Sequence, residues 1–314
     1  METTKNCLHF LFCIYKINKD KPLKIIKMSE NEEKLAKFVN ESEQPVKESP
    51  KISAPTIGFS VVSMNELPSK GMFYPRGTEI HIRAAEVREI KHWSTMDVND
   101  FRSVDESIDF VIQNCVTVKF PQKIASWKDI KEIDRLYLIF AVRELTFKDG
   151  ENKLFLPGSE QVEIRKEMLK YFELDEKLKR VYSEDERCFI ITNKKNPSEF
   201  VKMYIPSIGV SGFIKKHVDE KRQSGAKLDE DFIKYAAFLF DEYRTLDEKK
   251  FQDTIVDSNG WTLFKISAYS QVSDIIVQNV NPQVVYEKGG EEVTAPLNFQ
   301  GGLKSIFLIS DIFI

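Results

Sequence analysis

The chain has 314 residues, with 46 Lys plus Arg against 49 Asp plus Glu and a net charge of −3, which leaves no broad electrostatic attraction for nucleic acid or an anionic membrane. Its length suffices for a sizeable core in one or two domains, and 23 Phe in an aromatic fraction of 11% call for a Phe-rich core or for partner surfaces. Four cysteines, at 7, 13, 115 and 188, include no C-x-x-C pair, which excludes a paired-thiolate metal signature and suits a reducing compartment.

In chain order, the apolar run 8–15 is far shorter than the roughly 20 residues of a membrane-spanning helix, and it lacks the basic flank and cleavage site of a signal peptide. Residues 28–32, MSENE, read as an ordinary start, so residues 1–27 are expected to be upstream sequence that is not translated. The stretch 28–55 is rich in Glu, Lys, Ser and Pro and poor in large apolar residues, the composition of a disordered arm. Next comes ELPSKGMFYP (66–75). Pro68 keeps Leu67 out of the helical region, Gly71 offers a positive φ, and Pro75 with Gly77 makes a second turn. The breakers bracket Met72, Phe73 and Tyr74, which are expected to be exposed as partner anchors; a loop folded back on its own core is the competing reading. Residues 78–83 alternate, with Ile80 and Ile82 on one face, and predict a strand.

Farther along, a capping pattern at 103–106 predicts a helix with Ile108, Val111, Ile112 and Cys115 inward. A second, at 126–129, predicts the central helix of the first domain, with Ile130, Ile133, Tyr137, Phe140 and Ala141 inward and an all-apolar run at 136–142. Arg135, Arg143 and Glu144 read as surface ion pairs of that helix. Residues 159–184 read as a charged amphipathic helix, 189–191 and 201–205 as strands with a turn at 196–198. Helices are then predicted over 211–223, from Leu228 through Tyr243, from a third cap at 245–248, and over 261–280 before Pro282. The C-terminus carries Leu297, Phe299 and Phe307 around Gly301-Gly302, followed by an apolar tail. These three side chains are expected to dock on the body or on a partner, and self-association stays open.

Recognised chemistry is sparse. The histidines, at 9, 81, 92 and 217, stand at no ligand spacing; His81 and His217 read as solvated. Gly209-Val210-Ser211-Gly212 reads as a turn and cap rather than a phosphate loop, having no lysine at fixed spacing. The acidic pairs 241–242 and 247–248 interleave with basic residues as a solvated face does, and the basic pairs 215–216 and 221–222 lack the aromatics of a single-strand groove. No catalytic, cofactor or metal residue is assigned, and the chain is expected not to be an enzyme.

Three segments carry a resemblance: LPSKGMFYPRGTEIHIRAAEVREIKHWSTMD (67–97), WKDIKEIDRLYLIFAVRELTF (127–147) and APLNFQGGLKSIF (295–307). In this order they resemble the baseplate hub proteins and hub-assembly chaperones of T-even-type bacteriophages. The resemblance implies a non-enzymatic tail protein that works by docking on baseplate hub and tail proteins. Its expected location is the host bacterial cytoplasm during assembly, or the virion tail baseplate, with no nucleic acid, membrane or cofactor involved. An adaptor unrelated to phage and an enzyme with an unrecognised site remain the alternatives. The expected fold is α+β, mostly helical, with short antiparallel strands near 78–83 and 187–205. Its expected division is an arm (1–55), an α+β domain (56–150), a connecting region (151–206) and a helical C-terminal domain with an apolar tail (207–314).

Overall fold

The computed structural model describes residues 58–147, 153–158, 162–170, 173–227, 230–280, 283–300 and 302–307, and the fold is α+β. The expectations for the arm, for residues 1–27 and for the tail beyond Phe307 lie outside the described residues.

Alternation builds the first sheet. Strands β1 (Ser60–Val62), β2 (Glu79–Ile82) and β3 (Val116–Lys119) pair antiparallel in that order, with Ile80 opposite Val118 and Ile82 opposite Val116. These four side chains and Val62 are buried on one face. Against it lie helices α1 (Val87–Ser94), α2 (Phe101–Cys115) and α3 (Glu132–Thr146). The expected stripe of α2 is buried, but its start differs. Asp100 is the cap, accepting from the Arg102 N–H at 3.0 Å, while Ser103 lies inside the helix and accepts from the Asp97 N–H at 2.8 Å. The 126–129 capping box forms, yet on a single 3₁₀ turn, Trp127–Asp129; α3 begins after it, behind Lys131. Burial of α3 extends beyond its apolar run to Glu132, Asp134, Arg135 and Arg143.

The charged stretch 159–184 is not one helix. It contains a 3₁₀ turn, Lys166–Met168, and a short helix α4 (Glu176–Val181), with Leu169 and Leu178 buried separately in two different cores. A second sheet follows, β4 (Tyr182–Ser183), β5 (Cys188–Asn193) and β6 (Asn196–Met203), in which Asn193 pairs with Asn196. The turn is thus 194–195, and 196–198 is already strand. Helices α5 (Ile208–Gln223), α6 (Glu230–Ala236), α7 (Glu248–Ser258) and α8 (Leu263–Val280) complete the second core. Ser207 caps α5, so Gly209 to Gly212 lie within it rather than in a turn. A Cβ on Gly209 would stand 2.5 Å from Tyr243 Cγ, and this close approach explains the glycine. The helix predicted through Tyr243 ends at Ala236, and Asp247, not Thr245, caps α7.

A hairpin not anticipated from the sequence, β7 (Gln283–Lys288) and β8 (Glu291–Pro296), turns at Gly289-Gly290. It returns the chain to the first core, where the Lys170 N–H donates to the Gln283 carbonyl at 2.9 Å. Val284, Leu297, Phe299, Ile306 and Phe307 are buried there. The described residues belong to one compact unit, and its two cores cross the expected divisions at 150 and 206. Phe73 and Ile133 enter the second core, whereas Ile208 of α5 and the C-terminal side chains enter the first. Among the described residues no helix is long and apolar enough to cross a membrane.

Candidate functional site

The 66–75 loop turns where its breakers place it. The Met72 N–H donates to the Ser69 carbonyl at 3.1 Å, with Lys70 at φ 51° and Gly71 at φ 74° between them. The facing of the triplet differs from the expectation of three exposed anchors. Phe73 and Tyr74 are each 3% exposed, and Met72 is half-buried. Phe73 drives into the second core, edge-on to Tyr182 at 5.8 Å between ring centroids, and the Tyr182 hydroxyl donates to the Met72 carbonyl at 2.8 Å. Tyr74 turns toward α3. Its hydroxyl donates to Asp134 Oδ2 at 2.8 Å and accepts from the Lys131 N–H at 2.9 Å, while the Ser69 N–H donates to Asp134 Oδ1 at 2.8 Å. The loop is folded back on its own core because a buried carboxylate gathers donors from both of its ends.

Electrostatics at this junction follow burial. Desolvation raises the Asp134 carboxyl to about 6, although the Ser69 and Tyr74 hydrogen bonds oppose the shift. It also raises the Tyr74 hydroxyl, with the Asp134 charge adding to it, and lowers the Lys131 ammonium, which donates to the Ile205 carbonyl at 3.1 Å.

Outside this anchor lies a cleft of about 980 Å³. The 70–78 loop forms one wall, residues 120–123 another, and the β4–β5 turn the third. Its lining mixes Met64, Met72, Phe120 and Tyr182 with Arg76 and Arg187. Arg76 meets Glu184 at 2.8 Å across the mouth, both side chains well exposed, and Lys123 pairs with Glu242. Such exposed pairs contribute little stability.

The other sequence candidates lie elsewhere. Leu297, Phe299 and Phe307 are buried in the first core: Phe299 lies 5.8 Å from Phe140 and Phe307 5.1 Å from Trp93, centroid to centroid. His217, expected in solvent, is buried, 3.2 Å from Glu248 and packed on Phe251. Of the three charges expected at the surface of α3, Arg135 and Arg143 are interior instead, while Glu144 is half-buried and pairs with Lys166 at 3.5 Å. Arg135 is buried among Asp105, Asp109 and Glu132, with Lys215 2.5 Å from Asp105. Burial opposes the Asp105 charge, but Lys215 and Arg135 outweigh it and hold that carboxyl low; burial prevails at Asp109 and raises it. Arg143 Nε donates to the Ile306 carbonyl at 3.0 Å. Burial pushes the Cys115 thiol up to about 12 and Cys188 to about 11, so both stay protonated at neutral pH. Among the described residues no three His, Cys, Asp or Glu gather as a metal would require.

Sequence reasoning did not single out Asp134, Lys131, Lys123, Tyr182 or Arg187. Asp134 stands beside Glu132 and Arg135 in the first turn of α3, so nothing local distinguishes it from its charged neighbours, and nothing local marks the others. No family model, curated protein or solved structure matches the chain.

Proposed function

We propose that this chain is a non-enzymatic bacteriophage tail protein that acts in baseplate hub assembly, as a hub component or as the chaperone that builds the hub, by docking on hub and tail proteins. The three resembling segments support the phage reading. One observation carries the docking mode: the loop of the first resembling segment walls a cleft of about 980 Å³ lined by methionine, aromatic and arginine side chains, the types enriched at protein interfaces. The partner seats in that cleft and not on the Phe73 and Tyr74 rings, which the fold itself uses. On this reading the protein works in the host bacterial cytoplasm while tails assemble, or stays in the baseplate.

The test is disruption of the gene in the phage that carries it, with electron microscopy and mass spectrometry of the resulting particles. Tails lacking hubs, rescued by the gene in trans, are expected. Infectious particles with intact baseplates would sink the proposal.

A further inference from the structure

Helices α2 and α5 wall a notch of about 360 Å³, which shares no lining residue with the cleft described above. Glu132 and Arg135, at the start of α3, line it too, each 2% exposed. Glu132 Oε2 is buried there and accepts no hydrogen bond among the described residues. Arg135 Nη1 stands 3.6 Å from it, beyond hydrogen-bond reach, because that guanidinium is turned to Asp105 and Asp109. A buried carboxylate oxygen without a donor is costly, and folded proteins keep few of them. The charge of the notch points the same way. Six carboxylates line it against four cations. Arg102 is taken by Asp219 and Lys216 by Glu220, so Arg135 and Lys215 are left to answer Asp105, Glu106, Asp109 and Glu132. Burial raises the Asp109 carboxyl despite Arg135, and the Glu132 and Asp105 charges add to the shift, as surplus negative charge requires. A glycine supplies a third observation. Gly212 lies inside α5, exposed on the wall of the notch, where it costs helix stability relative to alanine. The Tyr243 ring explains Gly209 in the same helix, but a Cβ on Gly212 would meet nothing within 4 Å.

We propose that the notch receives one lysine or arginine side chain of a partner protein, its cationic tip paired with Glu132 and its stem lying along Gly212 and Ile208. The inference goes beyond the docking reading above and rests on a separate set of residues. A basic side chain supplies what the notch lacks. Its N–H groups are the missing donors for Glu132, and its charge offsets the surplus acid. Its methylene stem suits Ile208 and the open space beside Gly212. A metal ion fits less well, since among the described residues no three carboxylates gather at ligand spacing.

The experiment selects random dodecapeptides that bind the full chain, with counter-selection on Glu132→Gln. Retained peptides should share a Lys or Arg, and its replacement by uncharged norleucine should weaken binding about tenfold or more in fluorescence anisotropy. Gly212→Leu, which fills the space beside the stem, should weaken the same peptides by as much. Both variants should melt at or above the wild-type temperature. An amide costs less to bury than a carboxylate short of donors, and leucine is a better helix former than glycine. Weaker binding in a protein no less stable separates loss of recognition from loss of folding. No peptide left after counter-selection, peptides indifferent to norleucine, full affinity in Gly212→Leu, or displacement by magnesium chloride at matched ionic strength would each overturn the proposal. So would a Glu132→Gln protein that melts well below wild type, because the carboxylate would then serve the fold.

Discussion

Burial raises the Asp134 carboxyl to about 6, above the roughly 3.9 of an unfolded aspartate, so the folded state favours the protonated form. The associated stability is fully present below about pH 3.9 and is lost as pH rises through about 6. Asp134→Asn removes this titration. The carboxamide oxygen still accepts from the Ser69 N–H, but the amide cannot accept from the Tyr74 hydroxyl, which leaves that donor short of its present partner. The variant is therefore expected to be less stable than wild type at pH 5, with the gap closing by about 1.4 kcal/mol by pH 8. Urea titrations of both proteins at the two pH values check this; a pH-independent gap would show that Asp134 does not titrate in that window. Gly209 sets a different contest at the same scale. Alanine is the better helix former by up to about 1 kcal/mol. Against that gain, its Cβ would strike the Tyr243 ring, which is tied by its hydroxyl to Ser126 Oγ at 2.8 Å. Overpacking typically costs about 1–3 kcal/mol, so Gly209→Ala should lower the midpoint of chemical denaturation despite the propensity gain. A raised midpoint would mean that the ring moves aside freely.

Among elements, α3 was the most legible, and the reason is physical. A run apolar all round has no solvent-compatible face, so burial follows from composition without knowledge of the partner. Phe140, fully buried against Phe299, should lose about 3–5 kcal/mol on replacement by alanine, and a melting temperature close to wild type would contradict the central place of this helix. The caps were less legible. An S/T-x-x-D/E pattern contributes about 1 kcal/mol, too little to overrule packing, and it ended inside α2, on a 3₁₀ turn before α3, and two residues short of the α7 cap. The 159–184 stretch misled because its charges mimic an amphipathic period while Leu169 and Leu178 serve different cores. The β7–β8 hairpin was readable from Gly289-Gly290, a strong turn signal between two short β-prone runs. For the candidate site, the turn at Gly71 was legible because φ is a local property. The facing of Phe73 and Tyr74 was not, since their partners Tyr182 and Asp134 lie far along the chain.

At the scale of the molecule, the chain builds the first core, leaves to build the second, and returns to close the first with its C-terminal segment. The cores share elements: α3 contributes Ile133 to the second, and α5 contributes Ile208 to the first. Such sharing couples the two, so one cooperative transition is expected, with fluorescence of Trp93 and Trp261 changing together in urea. The returning segment is the place to test that coupling. Its buried Ile306 and Phe307 cover Trp93, whose indole N–H donates to the Leu303 carbonyl at 3.2 Å, and the Ile306 carbonyl accepts from Arg143. A stop after Gly302 removes both side chains and both carbonyl acceptors at once. Large core truncations cost about 2–5 kcal/mol each, and a domain's whole stability is about 5–15 kcal/mol, so this loss approaches the total. Phe307→Ala, a milder lesion of the same contact, should stay folded with stability reduced by about 3–5 kcal/mol. Coupled cores predict that this point variant lowers the Trp261 transition by as much as the Trp93 transition, although Phe307 packs only in the first core. Single-tryptophan versions of the variant, unfolded in urea, provide the measurement. If the Trp261 midpoint stays at its wild-type value while the Trp93 midpoint falls, the two cores melt independently and the C-terminal closure stabilises only the one it touches.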